Sequence, residues 1–138
     1  MIESYFDIKE LVCPHVWNKF KDRSWMFLDS RLLITLNAIR ERIDRSIYIN
    51  DWDQGLDERG LRCNLCSIVK AKTEVYMSAH CLGKAVDFDV AELNAEEVRL
   101  WIAKNRNIWP YPLRLEKEVA WVHLDVYDMG INQKVYLF

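Results

Sequence analysis

A chain of 138 residues, 51% hydrophobic and 29% charged, has the profile of one soluble folded domain, and residues 1–138 are read as a single unit. Its formal net charge of −2 gives no electrostatic reason to expect nucleic acid or an anionic membrane as partner. No apolar run approaches the roughly 20 residues that span a bilayer. The N-terminal MIESYFDIKE carries acids where a secretory leader would carry a basic and then an apolar stretch. The expectation is a protein that is cytoplasmic as synthesised, with release by a separate route such as lysis left open.

In chain order, residues 6–17 predict a short helix or turn. Asp29-Ser30 then caps the clearest helix, in which Leu32, Leu36, Ile39 and Ile43 recur at helical spacing. SIYIN, residues 46–50, predicts a first strand, and residues 51–67 read as a long polar surface loop, a length that is often functional. A strand-rich stretch follows: EVYMSAH, a break at Gly83, then KAVDFDV. Asn94 with Glu97 predicts a capped helix start, and Val98, Trp101 and Ile102 share one face of its body. LRLE, WVHLDV and KVYLF complete the pattern. Helices first and strands clustered later predict an α+β fold, with an antiparallel sheet and helices packed on one face.

Two segments carry chemistry. Ser78-Ala79-His80-Cys81-Leu82-Gly83-Lys84-Ala85-Val86-Asp87 is followed far downstream by Trp121-Val122-His123-Leu124-Asp125. Two imidazoles and one carboxylate suit a catalytic zinc site, because three protein ligands leave the fourth tetrahedral position for water. Bound Zn²⁺ lowers the pKa of that water to about 7 and polarises a carbonyl. On chemistry alone, an isolated histidine is more often a surface or core residue than a metal ligand.

The spacing Ser-x-His-x-x-Gly-x-Ala-x-Asp, then Trp-x-His-x-Asp, resembles the zinc motifs of the D-Ala-D-Ala carboxypeptidase-like metallopeptidases. That superfamily includes dipeptidases, phage endolysins and the hedgehog signalling domain. The resemblance implies zinc held by His80, Asp87 and His123, a hedgehog/DD-peptidase-like fold, and hydrolysis of peptide bonds in peptidoglycan stem or cross-link peptides. A phage or bacterial setting, with action at the cell wall after release, fits the small size. The first 45 residues resemble only the small phage- and bacterium-associated members.

A zinc peptidase needs a carboxylate to move the proton of the attacking water. Several members place an acid three residues before the last histidine, where this chain has Ala120. Small members instead have an Arg-x-Glu on the preceding strand, matching Arg114-Leu115-Glu116, so Glu116 is the expected base and Glu118 the alternative. Neither shares a face with His123 on one straight strand, so a turn or bulge must intervene. The resemblance also implies a loop arginine for the substrate carbonyl or carboxylate: Arg62 first, Arg59 second. A non-catalytic zinc-binding module is the rival reading, favoured by Ala120.

Other features are set aside. Cys63-x-x-Cys66 alone is a weak metal signal, since a closed site needs two more ligands and only Cys13 and His15 offer themselves. No thioredoxin-like pattern surrounds it to suggest redox chemistry. Cys81 reads as a buried free cysteine, and Trp17, Trp25, Trp101 and Trp109 as packing residues. Asp89 and Asp125 are candidates to orient the histidines.

Overall fold

The computed structural model describes residues 4–128, 130 and 132–138; the first three residues of the N-terminal stretch considered above lie outside them. Among the described residues, α1 spans Pro14–Phe20, α2 Ser30–Ile43, α3 Ser67–Lys70 and α4 Ala95–Lys104. The strands are β1 Ile47–Tyr48, β2 Ala85–Val90, β3 Leu113–Leu115, β4 Val122–Asp125 and β5 Val135–Leu137. No helix is long and apolar enough to cross a membrane among these residues.

The two main helices start where their caps are written. The Asp29 carboxylate accepts from the Arg31 backbone N–H, and Asn94 Oδ1 accepts from Glu97 N–H. Each satisfies an N-terminal amide that would otherwise lack a partner. Their apolar stripes supply Leu32, Leu36 and Ile39 from α2, and Val98 and Ile102 from α4. These side chains form one buried cluster with Val86 and Phe88 of β2, Leu113 and Leu115 of β3, and Val122 and Leu124 of β4. Because side chains alternate along a strand, the intervening residues Asp87, Arg114, His123 and Asp125 face the other way. One face of the sheet is thus core, and the other is free to carry chemistry.

The sheet order is β1-β2-β4-β3-β5. β1–β2, β2–β4 and β3–β4 are antiparallel, but β3 and β5 run parallel, with Leu113 opposite Val135. The fold is α+β as expected, while the sheet is mixed rather than wholly antiparallel. The reason is steric. β2 and β3 already occupy both edges of β4, so the chain leaving β4 docks on the remaining edge of β3, antiparallel to β4 and hence parallel to β3.

Two local expectations are corrected. EVYMSAH forms no strand: Val75 is 91% exposed, and the segment closes into the turn that holds His80. Val75 and Met77 stay exposed, and among the described residues no strand pairs with the segment. Residues 51–67 are not simply surface, because Leu61 and Cys66 are buried and the Leu61 N–H donates to the Leu11 carbonyl. Trp109 is fully buried, and Trp17, Trp25 and Trp101 pack against the core as expected.

Gly83 has φ +68°, and a Cβ there would run into the Phe27 carbonyl. Gly55 has φ +74° with open space around it. Gly55→Ala should therefore cost only the left-handed penalty of about 1–2 kcal/mol. Gly83→Ala should cost more, because backbone must also move; equal losses in chemical denaturation would show that the Phe27 contact is not limiting.

Candidate metal centre

His80, Asp87 and His123 converge although they come from distant parts of the chain. The register of β2 against β4 sets Asp87 directly opposite His123. His80 sits in the turn before β2, where Cys81 N–H bonds to Ser78 carbonyl and Lys84 N–H to Ala79 carbonyl. The positive φ of Gly83 lets that turn feed β2, and Lys84 Nζ fastens it to the α2 cap through Asp29 Oδ2 at 2.8 Å. One ligand atom from each of the three residues lies within 4.8 Å of the others, and all three side chains are buried.

Partners of the imidazoles show which nitrogens face the centre. His80 Nδ1 lies 2.9 Å from the Gly60 carbonyl, which can only accept, so Nδ1 carries the hydrogen and Nε2 faces Asp87 Oδ2 at 3.3 Å. His123 Nε2 donates to Asp125 Oδ2 at 2.8 Å, which turns Nδ1 toward Asp87 Oδ1 at 2.9 Å. The donor set is His80 Nε2, an Asp87 oxygen and His123 Nδ1. Nitrogen and oxygen donors of this kind, each histidine held by a second hydrogen bond, suit zinc.

Asp125 is fully buried and heavily supported. Arg114 on β3 donates to it twice, Nε to Oδ1 at 2.8 Å and Nη2 to Oδ2 at 2.9 Å, and the Tyr127 N–H donates at 3.1 Å. The Arg114 guanidinium is itself stacked over the Phe138 ring. Burial works against ionisation of Asp125, but His123 and Arg114 outweigh it and keep its carboxyl below the usual range. Asp87 is lowered in the same way, burial being overcome by His123 and His80. Of the two acids expected to orient histidines, Asp125 does so, whereas Asp89 pairs with Arg59 at 3.0 Å.

The expected base and arginine both reach this face. The register that sets Arg114 opposite Asp125 and Leu115 opposite Leu124 brings Glu116 opposite His123, and Glu116 N–H donates to the His123 carbonyl. The required turn is the β3–β4 hairpin, which makes the two residues cross-strand neighbours. Glu116 lines an open cleft of ≈ 420 Å³ with His80, Asp87, His123 and Trp121, and its carboxylate has no partner among the described residues. Glu118 is exposed in the hairpin turn, does not line the cleft, and has a positive φ of 63°. Arg62 lines the cleft with Nη2 3.2 Å from Asp87 Oδ2 and Nε donating to the Glu58 carbonyl. Arg59 is engaged elsewhere by Asp89. A larger hollow of ≈ 690 Å³ beside Arg59 and Asp89 contains neither histidine.

The four residues set aside in the sequence also meet. Cys13, His15, Cys63 and Cys66 bring their ligand atoms within 4.8 Å of one another, forming a second group able to hold a metal ion. Cys63-x-x-Cys66 is a visible signal and Cys13 and His15 are the candidates to complete it, but nothing in the sequence shows that residues 13–15 pack against it. Cys81 is free and only half-buried, not buried as expected.

Burial opposes protonation of His123, but Asp125 and Asp87 outweigh it and raise its pKa to about 9. A metal at Nδ1 must displace that proton. Affinity of this centre for Zn²⁺ should therefore rise with pH up to about 9, with proton release measurable by calorimetry in buffers of different ionisation enthalpy. The sign for the metal-free fold is opposite: stabilisation by protonated His123 is full below its ordinary pKa of 6.5 and is lost as pH rises through about 9. Asp125→Asn should weaken the metal about 10–100-fold without abolishing it. No family model, curated protein or solved structure matches the chain, so its functional reading rests on these residues themselves.

Proposed function

We propose that the chain is a zinc-dependent peptidase of the D-Ala-D-Ala carboxypeptidase-like kind, acting on stem or cross-link peptides of peptidoglycan. The observation that carries the reading is the position of Glu116. An unpartnered carboxylate stands across the hairpin from His123, beside a three-donor centre and in an open cleft. Zinc with three protein ligands and one open position supplies an activated water near neutral pH and polarises a carbonyl. In this reading Glu116 would accept a proton from the attacking water and return it to the departing amine. Asp125, fixed by Arg114, holds the His123 ring so that Nδ1 faces the centre. Gly60 does the same for His80 through its carbonyl.

Arg62, with Arg114, supplies positive charge at the cleft. The Arg62 guanidinium contacts Asp87, and a second planar edge suits a peptide carbonyl or a terminal carboxylate. Trp121, 42% exposed at the rim, offers an apolar wall for a substrate side chain. The substrate class comes from the motif resemblance, and the cleft volume falls within the ~300–1,000 Å³ usual for small-ligand sites. The absence of an acid at position 120 favours a second reading, a zinc-binding module without catalysis.

Glu116→Gln should reduce turnover of a stem-peptide substrate by about 10²–10⁴-fold while zinc content is unchanged. Glu118→Gln should cost little. A dead Glu118→Gln with an active Glu116→Gln would move the role two residues along. A zinc-loaded wild type that cleaves no stem peptide would leave the binding module in place of the enzyme.

Arg62→Lys keeps the charge but loses the planar pair of donors, so turnover should fall with zinc content unchanged. Unaltered kinetics would confine Arg62 to holding Asp87.

A further inference from the structure

We propose that Cys13, His15, Cys63 and Cys66 form a second zinc site, closed by four protein ligands, that fastens the loop serving the first centre. The proposal stands on distances. A tetrahedral zinc with Zn–S of about 2.3 Å and Zn–N of about 2.0–2.1 Å sets its ligand atoms about 3.8 Å apart for two sulfurs and about 3.6 Å for sulfur and nitrogen. Cys63 Sγ and Cys66 Sγ are 3.9 Å apart, and His15 Nδ1 lies 3.5 Å from Cys63 Sγ and 3.9 Å from Cys66 Sγ. All three edges lie within about 0.3 Å of the tetrahedral length, and Cys13 completes a group within 4.8 Å. A disulfide would need the two sulfurs at about 2.05 Å, and all four cysteines of the chain are free.

Local backbone geometry points the same way. Leu65 N–H and Cys63 N–H donate to the sulfurs of Cys63 and Cys66, each at 3.4 Å. The amide hydrogen aimed at Cys66 Sγ favours the thiolate, the form that binds metal, while in the metal-free protein burial outweighs it and pushes that thiol up. Cys66 N–H closes the turn onto the Cys63 carbonyl at 3.1 Å. On the other side, Pro14 starts α1 and leaves Cys13 and His15 flanking the helix start, with no side-chain cap made by Cys13. Three thiolates and an imidazole fill a tetrahedral sphere and leave no position for water. That is the pattern of structural zinc, and none of the four residues lines the cleft of His80 and His123.

The site sits where its effect on the first centre is direct. Leu61 pairs in parallel with Val12, and its N–H donates to the Leu11 carbonyl at 2.8 Å. One residue to each side, Gly60 supplies the carbonyl that orients His80, and Arg62 N–H donates to the His80 carbonyl. Room there is tight: a Cβ on Gly60 would collide with the Leu11 carbonyl. A metal joining residues 13–15 to 63–66 therefore clamps both strands of this pairing at the point where the loop carries Gly60 and Arg62. Unlike the proposed peptidase reading, this inference needs no substrate.

The test uses the full chain and metal alone. Wild type should carry about two zinc ions per chain by elemental analysis, and His123→Ala about one. Cobalt-loaded His123→Ala should show an intense thiolate-to-cobalt charge-transfer band, which nitrogen and oxygen ligands do not produce, and Cys63→Ser should abolish it. Chelation of His123→Ala should also lower its melting temperature, because a structural metal contributes folding free energy. His123→Ala retains every cysteine, so the spectrum remains decisive even if Cys63→Ser fails to fold. A His123→Ala protein that binds cobalt without a thiolate band, or binds none, overturns the proposal. So does intact-mass evidence that Cys63 and Cys66 have lost two hydrogens to a disulfide under reducing purification.

Discussion

The antiparallel register of β2 against β4 is the constraint on which the chemistry depends. Setting Asp87 opposite His123 brings a carboxylate and an imidazole to within 2.9 Å on the face turned away from the core. A slip of one residue would set Asp87 opposite Leu124 or Val122, so that either Asp87 or His123 would be turned into the apolar layer, where an ion has no partner. The buried leucines, valines and Phe88 on one face therefore enforce the position of every ionisable group on the other. Packing and chemistry are two sides of one register.

From Asp87 and His123 a chain of charge runs across the sheet. Arg114 holds Asp125, Asp125 holds His123, and His123 meets Asp87, which Arg62 and His80 also contact. Such a row is costly to bury, and removing one member typically costs about 3–5 kcal/mol because its partner is left uncompensated. Its value lies in orientation. Each imidazole has one nitrogen committed to a fixed acceptor, so the other points at a single place. Arg114, Asp125, His123 and Asp87 stand on strands, Arg62 follows the Leu61 bridge in the loop, and His80 is fixed by the turn that Gly83 allows.

The periphery serves this row rather than repeating it. Helices α2 and α4 cover the apolar face, and Arg99 of α4 donates to the Trp121 carbonyl at the entrance to β4. The segment from residue 58 to residue 66 closes over the polar face and touches His80 and Asp87 from outside the sheet. Residues 11–15 brace that segment from behind. Three layers thus converge on one centre, each from a different stretch of the chain.

The sequence by itself determined the two helix starts, because Asp29 and Asn94 act on amides two or three residues away and need nothing distant. It also determined the α+β composition and the identities of His80, Asp87 and His123, since the motif spacing is local within each segment. Glu116 could be named from Arg114-Leu115-Glu116, but only strand pairing puts it opposite His123, and the residues alone could not separate it from Glu118. The parallel β5 was illegible for a similar reason: its direction depends on which sheet edges other strands have already filled. EVYMSAH has the composition of a strand, and only the tertiary structure shows that it pairs with none and leaves Val75 and Met77 exposed. The Cys63-x-x-Cys66 turn is written in four consecutive residues, yet its partners lie about 50 positions earlier, and contacts over that separation are set by packing, which no local pattern records.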